Sequence, residues 1–352
     1  MYFHAFGTAL PDYRYSKAQC WDAFHASPWF SRLTDRSRSI AKIVLSRDNG
    51  IDTRWLSVES LDQVFDINPD TANERFAANA PRLMAKAARA ALQGAGIDPR
   101  TIDAVIVTTC TGYLCPGLST YAIEQLGLSP NVLAFDLVGQ GCAGALPNWQ
   151  LAEALLLSTR CDTVLCVCVE VCSAAMYLDD DPGVLISACL FGDGAGAAVV
   201  SRQPPDRLRR IRWTASRSLT DPTHREALRF ESRSGLLRNI LTREVPRLAA
   251  ANAKTVLDEV LRRNGLTQAQ ITCWIMHAGG RDVLIALQQQ LQLGTPALDY
   301  SRTTLRNYGN LSSAFVYFVM AAAIADLAPG GWWWLSSFGA GFSCHGALLE
   351  VE

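Results

Sequence analysis

Three short stretches in the first half of the chain, residues 104–109, 132–137 and 163–169, are apolar at nearly every position. A strand with one face in water alternates apolar and polar residues, so these runs fit strands buried on both faces, as in parallel sheets covered by helices. The intervening segments agree. Residues 74–92 are rich in Ala and Arg at helical spacing and stop at Gly94 and Gly96, and residues 143–157 form another helix-like stretch. A charged, proline-paired boundary follows at 202–210. Beyond it a helix is predicted over 245–263, ended by Asn264-Gly265, with buried strands over 271–276 and 332–335. At 352 residues the chain exceeds one ordinary core and is short for three. Two α/β halves are therefore expected, 1–205 and 206–352.

Lys plus Arg number 32 and Asp plus Glu 33, with 18% of residues charged and 49% hydrophobic. Such a chain is globular, and without a basic run it is not built to neutralise phosphates, so nucleic acid and anionic membranes are not expected partners. Eleven cysteines in a long chain, after a start that lacks the basic and apolar regions of a secretory signal, read as reduced thiols in a cytoplasmic protein. The longest strongly apolar stretch, 314–325, falls short of the ~18 residues that suggest a membrane span.

Gly139-Gln-Gly-Cys-Ala-Gly144 follows a strand, opens a helix and matches the G-x-G-x-x-G dinucleotide pattern. The acid that should end the next strand is missing, because Asp162 precedes that strand, so a nicotinamide cofactor is not expected. Cys142 stands out instead. At the first turn of a helix, amide donors and the helix dipole favour a thiolate, and small neighbours admit an acyl carbonyl. The plain alternative, a buried core cysteine, suits Cys161, Cys166, Cys168 and Cys172 better. Of five histidines, His277 ends an apolar strand before Ala278-Gly279-Gly280 and is the candidate partner, with His345 as fallback. Asn310, in Asn307-Tyr-Gly-Asn310-Leu-Ser-Ser-Ala314, is either a helix cap or a neutral donor to a developing oxyanion.

The Cys142 turn, Leu190-Phe-Gly-Asp-Gly194, His277-Ala-Gly-Gly280 and Tyr308-Gly-Asn310-Leu-Ser-Ser-Ala314 occur in the order and spacing found in type III polyketide synthases, the chalcone synthase-like enzymes, and the chain resembles that family from Phe6-Gly-Thr-Ala-Leu-Pro11 to Ser337-Phe-Gly-Ala-Gly341. The resemblance implies the thiolase fold, two related α/β halves in five αβαβα layers, as a homodimer. It implies no cofactor, since the CoA thioesters are substrates. An acyl starter passes from CoA, or from an acyl carrier protein, to the cysteine; malonyl-CoA is decarboxylated; and the enolate is joined to the acyl group. Cys142 would be the nucleophile, and His277 and Asn310 the pair at the malonyl thioester oxygen. His277 would also lower the thiol pKa of Cys142 through an ion pair. Phe191 matches the gating aromatic between the CoA tunnel and the inner cavity.

The departures bear on substrate. The second gating Phe falls near Asn239, and the cavity position usually held by Thr is Ala175, which suggests room for an aliphatic starter and a pyrone- or resorcinol-type product. The basic patch that grips CoA phosphates is reduced to Arg54, with Arg47 nearby and Asp52 between them. Glu170 and Ser312 match two members of a hydrogen-bond network that promotes thioester hydrolysis and ring closure. The Thr of that network is Cys110 here, flanked by Thr109 and Thr111, so it is either broken or rebuilt by a neighbour. The alternatives are a ketoacyl carrier protein synthase III-like enzyme performing one condensation, and a cysteine hydrolase using the same three residue types.

Overall fold

The protein is described by a computed structural model that covers all residues except 47, 207 and 208. The first half supplies strands β1 (Tyr2–Ala9), β4 (Ala104–Thr108), β5 (Leu133–Leu137), β6 (Thr163–Glu170) and β7 (Gly194–Ser201), ordered β5-β4-β6-β7-β1. The second supplies β8 (Ile211–Thr220), β11 (Ile271–Met276), β12 (Gly331–Gly339) and β13 (Ser343–Val351), ordered β8-β13-β12-β11. Tyr2 and Phe3 of β1 pair with Arg212 and Ile211 of β8, which makes the nine strands continuous. Pairs β4–β5, β4–β6 and β11–β12 are parallel and the rest of the sheet is antiparallel.

Successive side chains on a strand point to opposite faces, and here both faces are covered. On β6, Leu165, Val167 and Val169 enter one core with α4 (Pro69–Ala95) and α5 (Leu118–Leu126). Val164, Cys166 and Cys168 enter another, shared with α6 (Ala145–Leu157) and α11 (Phe315–Ala325). That is why no polar alternation marks this strand. The helix α11 is apolar all round, as a helix between two sheets must be. It packs on β1, β7 and β11, while α6 packs on β4 and β6 of one half and on β12 and β13 of the other. Helix α8 (Val245–Arg263) covers the far face of the second sheet, with α9 (Arg281–Gln290) against it. The layers therefore run αβαβα.

A third core joins α1 (Lys17–Ala26), α3 (Asp35–Ser46) and α7 (Pro182–Leu190), with Ser27 separating α1 from the short α2 (Pro28–Arg32). Nearby lie the small sheets β2 (Tyr13–Ser16) with β3 (Thr53–Leu56) and β9 (Leu228–Arg233) with β10 (Leu236–Leu241). Helix α10 (Asp299–Tyr308) leads into the Asn310 loop. One strand differs from the sequence expectation. β5 is the sheet edge, and Leu133 is 39% exposed, so this apolar run is not buried on both faces. No helix among the described residues is long and apolar enough to cross a membrane.

Candidate active site

Cys142 sits in a tight turn, Gly141–Ala143, that leads into α6. Gly139 and Gly141 have φ of +82° and +54°, a region that favours glycine. The turn is wedged between the two halves. A Cβ on Gly144 would stand 2.5 Å from Thr108 Cγ2, and one on Gly339 would stand 2.2 Å from the Gln140 carbonyl. Ser337 Oγ donates to the Ala143 carbonyl at 3.0 Å. Burial pushes the Cys142 thiol up to about 12; hydrogen bonds from Ser312, Asn310 and its own N–H favour the thiolate, and the Glu170 charge opposes it.

His277 follows β11 and is fixed by its backbone N–H, which donates to the Ser336 carbonyl at 2.8 Å. Its ring meets Phe315 edge-on, with centroids 5.2 Å apart. Nδ1 is buried without a partner, and burial lowers the ring pKa to about 3. Burial thus opposes charging either group by itself. The expected low thiol pKa of Cys142 is corrected on this point, since burial outweighs the helix start; the groups that favour the thiolate are Ser312, Asn310 and the backbone. Asn310 does not cap a helix, since Leu311 and Ala314 hold the N-cap positions that follow it. Its Oδ1 accepts from Ser312 N–H two residues on at 2.9 Å, which commits Nδ2 as a donor, at 3.3 Å from the Gly279 carbonyl. Cys142, His277 and Asn310 line one cavity of about 700 Å³, bordered by Phe338 and Phe191. His345 lies elsewhere, on β13, with Nδ1 paired to Ser218.

This constellation was compared with known proteins. The model of FAE1/type III polyketide synthase-like proteins matches residues 11–274, and that of the chalcone and stilbene synthase C-terminal domain matches 222–350. The chain belongs to the type III polyketide synthases. It is 30% identical over 350 residues to a 1,3,6,8-tetrahydroxynaphthalene synthase of Streptomyces peucetius subsp. caesius, covering 97% of this chain and 91% of that protein. It is 30% identical over 268 residues to a 3,5-dihydroxyphenylacetyl-CoA synthase of Amycolatopsis orientalis, covering 75% and 72%. The solved structure of a polyketide synthase from the brown alga Ectocarpus siliculosus superposes with a TM-score of 0.90 at 23% identity, covering 99% of this chain and 97% of that one. The fold is the thiolase fold, and the protein is an acyltransferase-type condensing enzyme.

As in its family the synthase has a second space beyond the nucleophile, and here it measures only about 40 Å³. Phe191 lines both spaces, as do Cys142 and Leu228, and its backbone bridges to Asn310. Ala175 lines the inner chamber, but Met176, Tyr177 and Phe230 line it too, so the small residue does not open a large pocket. Asn239 lines it as well. Phe230 is directly opposite Asn239 across β9 and β10, so an aromatic absent from one strand is supplied by its neighbour.

The Glu170 network is rebuilt rather than broken. Glu170 is fully buried and accepts from Thr111 Oγ1 at 2.9 Å, Ser312 Oγ at 3.3 Å, the Cys110 N–H at 3.1 Å and the Cys110 thiol at 3.4 Å, and also from Ser313. Cys110 Sγ lies 3.2 Å from Ser312 Oγ, which links the carboxylate to the nucleophile. Burial raises the Glu170 pKa against these donors. Arg54 is a correction. It is buried, and its Nη1 donates to the carbonyls of Ala188 at 2.9 Å and Phe191 at 3.2 Å, so it holds the gate in place and does not face a phosphate. Arg47 lies outside the described residues. The arginines bordering the outer cavity are Arg243 and Arg281, which the sequence reading did not single out. Arg281 directly follows the His277 glycine turn, a signal that was available; Arg243 has none.

Proposed function

We propose that Cys142, His277 and Asn310 carry out decarboxylative condensation of malonyl-CoA onto a short aliphatic acyl starter. The observation that carries this reading is the commitment of Asn310 Oδ1 to Ser312, which leaves Nδ2 as a donor in the cavity where the Cys142 thiol and the His277 ring also stand. Sγ attacks the starter thioester, its proton passing to the imidazole and then to the departing CoA thiolate. The malonyl C–C bond to carboxylate then breaks, CO2 leaves, and the electron pair becomes an enolate whose oxygen accepts from His277 and Asn310. The enolate carbon attacks the Cys142 thioester, a C–C bond forms, and the C–S bond breaks to release Cys142 as its thiolate, which takes a proton from solvent or loads the next acyl group. Donors aimed at the enolate oxygen act in the transition state more than in the ground state. An inner chamber of about 40 Å³ supports a short starter over a phenylpropanoid.

The test is Asn310→Ala with a labelled acyl-CoA and malonyl-CoA. Condensation requires that Cys142 still takes up label while CO2 release falls on the order of 10² to 10³, the usual effect of removing one oxyanion donor. A hydrolase would show slow release of the acyl group and no CO2 from the parent. Parent-level CO2 release in the variant removes the role assigned to Asn310.

A further inference from the structure

One buried polar group in the inner chamber has no partner. Asn239 is only 8% exposed, its Oδ1 is buried without a hydrogen bond, and its side-chain amide makes none with any described residue. Buried carboxamides are normally paired, since an unpaired one loses its hydration without compensation. The position is well determined. Asn239 lies mid-strand on β10, opposite Phe230, and the neighbouring Arg238 ties the hairpin down with ion pairs to Asp179 at 2.7 Å and Glu231 at 3.0 Å. The side chain lines the same chamber as Cys142. What enters that chamber is the acyl group carried on Cys142.

We infer that Asn239 is a specificity-determining residue whose carboxamide hydrogen-bonds a keto or enol oxygen of the Cys142-bound chain, so that the inner chamber selects oxygenated acyl groups over alkyl groups of equal length. The inference rests on the condensing role proposed above. In a chamber of about 40 Å³ an alkyl chain leaves the amide dry and unpaired, whereas a 3-keto group gives it a partner. A site built to pair with a polar group discriminates strongly against the analogue that lacks it. The carboxamide has both a donor and an acceptor end, so it suits either tautomer of a β-diketide.

The experiment uses two starters that differ by one oxygen, acetoacetyl-CoA and butyryl-CoA, each with malonyl-CoA, in the parent, Asn239→Leu and Asn239→Ser. The readout is kcat/KM for condensed product by mass spectrometry, with CO2 release followed in the same samples. The parent is expected to favour acetoacetyl by about 10-fold, the size of one hydrogen bond to a buried group. The leucine variant should bring that ratio close to one, and the serine variant, which keeps a polar group, should retain the preference. A folding defect would depress both starters and leave the ratio unchanged. A parent ratio near one, as when a water satisfies the amide, overturns the inference, and so does an unchanged ratio in both variants. A parent that releases CO2 and condenses but shows no preference defeats this subsite alone. A parent that releases no CO2 defeats the condensing role as well.

Discussion

At the scale of single residues, Cys142 and His277 are two groups whose charging is opposed by burial. Charging Cys142 alone is opposed by burial up to about 12, and charging His277 alone is opposed down to about 3. Moving one proton from sulfur to ring leaves the net charge of the cavity unchanged and creates two opposite charges that attract in a poorly solvated space. The imidazole is thus the natural receiver of the thiol proton. The alkylation rate of Cys142 as a function of pH tests this, because the thiolate is the reacting species. His277→Ala removes the receiver of the thiol proton, so its curve is expected at higher pH than the parent's. Superimposable curves would remove the imidazole from the activation of the thiol.

The elements that hold these residues explain which features the sequence disclosed. Gly144, at the N-cap of α6, has a helical φ of −53°, so alanine there needs no unfavourable φ. Its Cβ, however, would press on Thr108 Cγ2 of the buried strand β4 at 2.5 Å and on Ser313 at 3.2 Å. Overpacking of this kind costs about 1–3 kcal/mol. Gly144→Ala is therefore expected to lower the stability measured in urea by that amount and to slow acylation of Cys142; a variant as stable as the parent and equally reactive would contradict the tight fit. Cys142, His277 and Asn310 were legible as a set because each carries a local glycine or small-residue signal. The central strands were legible because both of their faces are buried. β5 misled because its apolar composition says nothing of its place at the sheet edge. The β9–β10 hairpin was hidden because Arg229, Glu231, Arg233 and Arg238 make its strands look like a charged loop, although Ser234 and Gly235, at φ of +51° and +79°, form the turn. Arg54 failed for a different reason. Residue type marks a cation, but only the packing of β3 against the gate decides whether it faces a phosphate or two carbonyls.

For the whole molecule, the shared central layer of α6 and α11 places residues from both halves in one core, so a buried titratable group in either half bears on the stability of the entire chain. His345 serves to measure this, because it lies on β13, borders neither active-site cavity, and is held by burial at a pKa of about 4. The unfolded value is about 6.5. Between these values the unfolded chain binds a proton that the native chain refuses, so stability rises with pH through the window and is lost as pH falls below about 6.5. His277, lowered to about 3, contributes with the same sign. Glu170 and Asp193, raised by burial, contribute with the opposite sign, favouring the native state at lower pH and costing stability as pH rises through their native values. Subtracting the variant from the parent leaves the His345 part. Each pH unit below 6.5 is worth about 1.4 kcal/mol, so acidification from pH 7 to pH 5 should cost the parent about 2 kcal/mol more than it costs His345→Gln. Urea unfolding at the two pH values gives both numbers. Parallel losses in parent and variant would show that His345 takes up its proton without unfolding the chain, and that the layer around β13 opens to water more readily than its burial implies.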